Sequence, residues 1–236
     1  MKTLVDRYGN TEVSHADVIV ALGGDGFLLS VLHRYLEHNL PVFGLNRGTV
    51  GFLMNDHTPD GLLERLEKAE VSSLIPLTMI ATDSKGETHS SLAFNEVSVF
   101  RHTRQAAHIS LTVDGVQRMD RLICDGCLLA TPAGSTAYNL SADGPVIPLD
   151  SNLLALTPIS AYRPRRWRGA LLPSNCRVQI DNLNEHKRPL NATADFIEVR
   201  KVRSVEIAQH PTLRVPLLHD PHSSLDERML QEQFLQ

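Results

Sequence analysis

The chain has 236 residues, enough for one large domain or two modest ones each with its own core, and its composition is that of an ordinary globular protein. Its 23 basic and 27 acidic side chains leave a formal charge of -4, which argues against a protein whose main task is to neutralise nucleic-acid phosphates. The N-terminal residues lack the apolar run of a secretory signal, no membrane-length apolar stretch occurs, and 3 cysteines suit reduced thiols, so the expected location is the cytoplasm, with no membrane partner.

In chain order, the Val- and Ile-rich run over residues 17–22, bounded by Gly23-Gly24, reads as a buried strand. Apolar residues at 27, 28, 31, 32 and 35 then predict one face of a helix. Pro41-Val-Phe-Gly-Leu45 reads as a second strand. Thr58-Pro59 reads as the start of another helix, continued by Leu62, Leu63 and Leu66. Strand alternating with helix implies a parallel sheet covered by helices.

From about residue 74 short β-type runs recur. HISLTV, Asp114-Gly115, VQRMDRLI is a strong hairpin signal, and RVQIDN, ATADFIEV and SVEIAQ continue the pattern to about 209. Ser224-Leu-Asp-Glu227 has the spacing of a capping box and opens an amphipathic segment expected to pack on the first domain. The expected organisation is an α/β N-terminal domain with a parallel sheet over residues 1–74, joined by 210–236, plus a mostly β C-terminal domain over 75–209.

The turn GGDG at 23–26 is not a P-loop and lacks the third glycine of the dinucleotide fingerprint. Its backbone N–H groups and the following helix N-terminus can still hold an anion. Asp25 in such a turn either bonds the local backbone or, beside a phosphate, holds a metal ion or accepts a proton. Asn95-Glu96 interrupts an apolar strand with donors and acceptors that face either a ligand or solvent. TPAGSTAYNLSADGP at 131–145 combines a tight turn, hydroxyls and Tyr138, which suits a nucleotide or an ordinary capped turn.

Cys124-Asp-Gly-Cys127 reads as structural, because thiols three apart on a strand point to opposite faces. The arginine-rich run Arg163–Arg168 reads as a solvated loop or subunit contact. The 11 histidines show no H-E-x-x-H spacing, and G-x-S-x-G is absent.

Taken in order, GGDG at 23–26, NRGTVGFL at 46–53, FNE at 94–96, DG at 125–126 and TPAGSTAYNLSADGP at 131–145 resemble the NAD kinase family. The resemblance implies phosphorylation of the 2′-hydroxyl of the adenosine ribose of NAD to give NADP, with ATP or inorganic polyphosphate as donor and a divalent cation, Mg2+, as cofactor. It implies that Asp25 is the general base and that Gly23, Gly24 and Gly26 form the phosphate-donor loop. Asp25, Gly26, Phe52, Asn95, Glu96, Asp125, Thr136, Ala137, Tyr138, Asn139, Leu140 and Ser141 are the implied NAD-binding residues, with no protein metal ligand assigned. The implied assembly is a homodimer or homotetramer, without a nucleic-acid partner.

The chain departs from the family pattern in three places. Its first strand is expected to lack a preceding edge element, Ile123 stands where a basic residue is common, and Asp143 where glycine is common. The alternatives are a kinase of the same superfamily acting on a lipid or sugar hydroxyl, and a non-catalytic NAD(P) sensor.

Overall fold

The computed structural model describes residues 2–48, 51–165, 167–221 and 225–234. The chain divides into two compact units, one of residues 1–74 with 214–236 and one of residues 75–213. The first unit opens with α1 (Lys2–Tyr8), β1 (Ile19–Gly23), α2 (Asp25–Arg34), β2 (Val42–Asn46), α3 (Leu62–Glu67) and β3 (Glu70–Leu74). The second unit runs through β4 (Leu77–Asp83), β5 (Thr88–Ala93), β6 (Glu96–Arg101), β7 (Ala107–Val113), β8 (Val116–Cys124), β9 (Gly126–Ala130) and α4 (Tyr138–Ser141). It continues with β10 (Leu153–Ile159), β11 (Ala170–Pro173), β12 (Arg177–Asn182), β13 (Leu190–Ala194) and β14 (Ile197–Gln209). The chain then returns to the first unit with β15 (Val215–His219) and α5 (Leu225–Glu232).

In the first unit the strands lie in the order β1-β2-β15-β3, so β1 is an edge strand of the described sheet. β1, β2 and β15 run parallel, as the alternation of strand and helix predicts, whereas β3 joins β15 antiparallel. Leu28, Val31 and Leu32 of α2 are buried as the periodicity requires, but Phe27 is exposed: Leu29 takes the buried face instead, and a Cβ on Gly23 would strike the Phe27 ring. Helix α3 begins later than Thr58-Pro59, after Gly61 in a left-handed conformation. Thr58 accepts a hydrogen bond from Arg65 through its carbonyl, and Arg65 pairs with Asp220.

Buried Asn55 ties the loop after β2 back to the sheet. Its amide donates to the carbonyls of Gly44 and Leu218 at 3.1 and 3.0 Å, and its side-chain oxygen accepts from the Asp220 N–H at 3.0 Å. The Gly44 carbonyl also accepts from the Asn55 N–H at 2.8 Å, so side chain and backbone of Asn55 together hold the loop to β2. The capping-box residue Ser224, like Thr49 and Val50 of the NRGTVGFL motif, lies outside the described residues. Glu227 falls within α5.

The second unit is built on an 11-stranded sheet in the order β11-β10-β9-β6-β13-β14-β12-β7-β8, with β4 pairing β14 and β5. Its pairings are antiparallel. The β7–β8 hairpin turns at Asp114-Gly115, both with positive φ, as the Asp-Gly signal predicts. ATADFIEV is not one run: it breaks at Asp195-Phe196 into β13 and β14, paired from Ala194 to Ile197. Cys124 and Cys127 both lie in the main apolar core, not on opposite faces, because the chain breaks at Asp125 between β8 and β9. Burial pushes both thiols up, Cys124 to about 12, which fits an inert structural role.

Candidate active site

In the first unit β1 runs through Gly23 into Gly24, which caps α2 in an extended conformation, and the helix begins at Asp25. The carboxylate therefore sits at the positive end of a helix, where negative charge is stabilised. It is not free to swing. Its Oδ2 accepts from the Phe52 N–H at 2.7 Å and its Oδ1 from the Leu53 N–H at 2.9 Å. A Cβ added at Gly24 or Gly26 would meet nothing within 4 Å, so these glycines leave the approach to the helix head open.

The loop that clasps Asp25 is itself held from behind. Arg228 of α5 donates to the carbonyls of Phe52 and Met54, and Asn46 donates its N–H to Asn55 at 2.8 Å. Burial pushes the Arg228 guanidinium down against the attraction of Asp56, Asp25 and Asp220. A half-buried cation is tolerated here because it donates to carbonyls and is attracted by nearby carboxylates.

In the second unit Phe94, Asn95 and Glu96 form the bend from β5 into β6, and two other segments grip it. The Thr131 hydroxyl donates to the Phe94 carbonyl at 2.7 Å, and the Thr131 N–H to the Asn95 carbonyl at 2.9 Å. Thr131 also accepts from the Gly134 N–H at 3.0 Å, and a Cβ on Gly134 would lie 2.1 Å from the Asn95 carbonyl oxygen. Only glycine lets the TPAGS turn approach so closely. From the other side Asp195 accepts from the N–H groups of Phe94 at 2.7 Å and Asn95 at 2.9 Å.

Glu96 stands apart from these satisfied groups. Its Oε2 is buried with no hydrogen-bond partner among the described residues. Burial, and then repulsion by Asp195, push its carboxyl up to about 7 against a bond from the Tyr138 N–H. Tyr138 is raised as well, by burial and by the charges of Glu96 and Asp125. Asp125 pairs with Arg101 at 2.5 Å and remains a third exposed.

The second unit thus brings together Asn95, Glu96, Asp125 and the Thr136–Ser141 segment, and the first unit brings together Asp25, Gly26 and Phe52. Asn139 has a different part from a ligand contact. It is fully buried, donates to the carbonyls of Ser135 and Pro145, and accepts from the Thr157 hydroxyl, so it braces the turn from within. Asp143, where glycine is common, has a φ of 61°, a conformation that Asp tolerates better than most residues. Ile123 exchanges backbone hydrogen bonds with Arg163. Arg163 and Arg165 lie over the Tyr162 ring, while Arg166 lies outside the described residues.

Sequence reasoning missed Asp195, Arg228, Thr131 and Arg101. For Asp195 the signal was present: a turn-forming residue inside a β-type run. Arg228 carried none, since a cation beside an apolar helical stripe is ordinary. Among the described residues one group of potential metal ligands lies within 4.8 Å, Asp83, Glu87 and His89 of the β4–β5 hairpin. One Asp83 oxygen there accepts from the Lys85 and Glu87 N–H groups, as a turn requires.

Comparison with known proteins places these features in context. The ATP-NAD kinase N-terminal domain matches residues 6–70 and the ATP-NAD kinase C-terminal domain residues 94–197. An NAD kinase of Caulobacter vibrioides is 54% identical over 231 residues, 98% of this chain and 89% of that protein. One from Hyphomonas neptunium is 53% identical over 98% of this chain and 91% of that protein. Among solved structures, an NAD kinase from Archaeoglobus fulgidus in complex with ATP superposes with a TM-score of 0.76 at 25% identity, covering 98% of this chain and 92% of that one. Yeast NADH kinase complexed with NADH shares the fold at a TM-score of 0.81 and 22% identity, over 94% of this chain and 67% of that one.

Proposed function

Because the chain belongs to the NAD kinase family and is a phosphotransferase with an alcohol group as acceptor, we propose that it transfers the terminal phosphoryl group of ATP to the 2′-hydroxyl of the adenosine ribose of NAD, making NADP. The observation that carries the reading to individual residues is the clasped carboxylate of Asp25 at the head of α2, beside the open backbone of Gly24 and Gly26. In this mechanism the ribose oxygen attacks the γ-phosphorus and the bond to the β-phosphate oxygen of ADP breaks. The hydroxyl proton passes to Asp25. Two N–H donors orient its oxygens without satisfying all their lone pairs, so each keeps a site for that proton.

Gly23, Gly24 and Gly26 are the proposed donor loop, where phosphate oxygens meet backbone N–H groups and the helix dipole. Asn95 and Glu96 are proposed to take ribose hydroxyls, Tyr138 and Phe52 to offer apolar surface, and Thr136, Ala137 and Ser141 to line the dinucleotide site. Asp125 has the proposed role of a contact at the nicotinamide end. Asn139 and Leu140 belong to the same segment, Asn139 as its internal brace.

A divalent cation, Mg2+, fits this donor set as a companion of ATP: magnesium keeps most of its ligands as water and phosphate oxygen, and Asp25 has lone pairs to spare. When bound it neutralises charge on the transferring phosphoryl group. The reading carries with it a cytoplasmic homodimer or homotetramer. Among the described residues no helix is long and apolar enough to cross a membrane.

The test is to incubate the protein with NAD, ATP and magnesium and to measure NADP. NADP formation from NAD, with no phosphorylated lipid when a diacylglycerol or sphingosine is offered as acceptor instead, supports the reading; binding of NAD without conversion under varied metals and donors, polyphosphate included, overturns it.

A further inference from the structure

Asp195 opens the two-residue connection between β13 and β14 with a φ of 52°, a left-handed conformation that only Gly, Asn and Asp adopt readily. A plain hairpin turn needs no more than that. Yet its carboxylate reaches about one hundred residues back along the chain, accepting from Phe94 N–H at 2.7 Å, Asn95 N–H at 2.9 Å and Glu96 N–H at 3.4 Å. Its own N–H donates to the Glu96 carbonyl at 3.1 Å. The bend and the hairpin are therefore locked reciprocally.

The choice of a charged residue has a second consequence. A neutral Asn would fit the same backbone, but Asp places a carboxylate beside a second carboxyl, Glu96, whose Oε2 is buried with no hydrogen-bond partner among the described residues. Among the described residues, the titratable groups that face the Glu96 carboxyl are Asp195 from the β13–β14 turn and Tyr138 from α4.

We propose that Asp195 is a positioning residue for the dinucleotide site: its carboxylate holds the Phe94–Glu96 bend so that Asn95 and Glu96 meet the ribose hydroxyls of NAD. The proposal rests on the reading of the chain as an NAD kinase. Glu96 in its protonated form offers an O–H as well as an acceptor to a hydroxyl pair, which a carboxylate cannot.

The decisive variants are Asp195→Asn, which keeps the backbone conformation but turns one acceptor into a donor facing an N–H, and Asp195→Gly, which keeps the conformation and removes the clamp. Both are expected to raise KM for NAD by roughly tenfold or more, the effect of losing a charge-assisted hydrogen bond, with KM for ATP unchanged. In Asp195→Asn the pH dependence of NAD affinity is expected to shift to lower pH, and the amide hydrogens of residues 94–96 to exchange faster in both variants. Wild-type NAD affinity with an unmoved pH profile and unchanged exchange in either folded variant overturns the proposal. If the wild-type protein makes no NADP, the enzymatic reading fails, and exchange at residues 94–96 together with a spectroscopic titration of Glu96 still decides the clamp.

Discussion

Asp25 and Glu96 are the two carboxyls at the centre of the candidate residues, and they are handled in opposite ways. Asp25 has both oxygens bonded to backbone N–H groups at a helix head. Changing Asp25 to Asn keeps its size, removes the proton acceptor and sets an amide NH2 against one of the two clasping N–H groups. Turnover is expected to fall by about 10²–10⁴-fold with KM for NAD nearly unchanged, as steady-state assays will show. Glu96 instead has a buried oxygen without a hydrogen-bond partner among the described residues, and burial with repulsion by Asp195 pushes its carboxyl up from 4.5 to about 7. Between those two values the folded protein keeps a proton that the unfolded chain releases, so stability falls as pH rises through that window and levels off above it. Glu96→Gln is therefore expected to match the wild type near pH 4.5 and to exceed it by about 1–3 kcal/mol above pH 7, read by urea unfolding, while binding NAD more weakly.

At the scale of elements, the hydrogen bonds that fix the candidate site come from segments distant in sequence. Helix α5 sends Arg228 to the carbonyls of Phe52 and Met54, in the same loop whose N–H groups hold Asp25. Removing that guanidinium with Arg228→Ala is expected to lower turnover roughly tenfold by loosening the base, with partial recovery on adding free guanidinium. Unaltered turnover would show that the loop stands without α5. The elements themselves were largely legible. The strand before GGDG, the helix after it and the Asp114-Gly115 hairpin appear where local pattern places them. Phe27 and the start of α3 were misread, because helical spacing alone does not say which neighbouring apolar residue finds the core, or that Gly61 rather than Thr58 sets the helix start.

At the scale of the whole molecule, the two units are closed differently. The second is one continuous stretch of chain and contains every strand of its sheet. The first draws its strand β15, which lies between β2 and β3, from the end of the chain. A chain ending after Leu213 would leave the facing edges of β2 and β3 unpaired. Such a truncation is expected to abolish kinase activity and to open the first unit to proteolysis, while residues 75–213 keep their β circular dichroism and protease resistance.

Local pattern by itself determined the kinds of element, the turn glycines and the presence of Asp25, Asn95 and Glu96 in ordered motifs, because periodicity and turn chemistry act over a few residues. Tertiary structure alone decided which donors those carboxyls and backbones meet. The N–H groups on Asp25 come from 27 and 28 residues away, and the carboxylate on the Phe94–Glu96 bend from about one hundred. Hydrogen bonds over such separations leave no period in the sequence. They form only once the sheet of each unit has set its registers and brought the loops together.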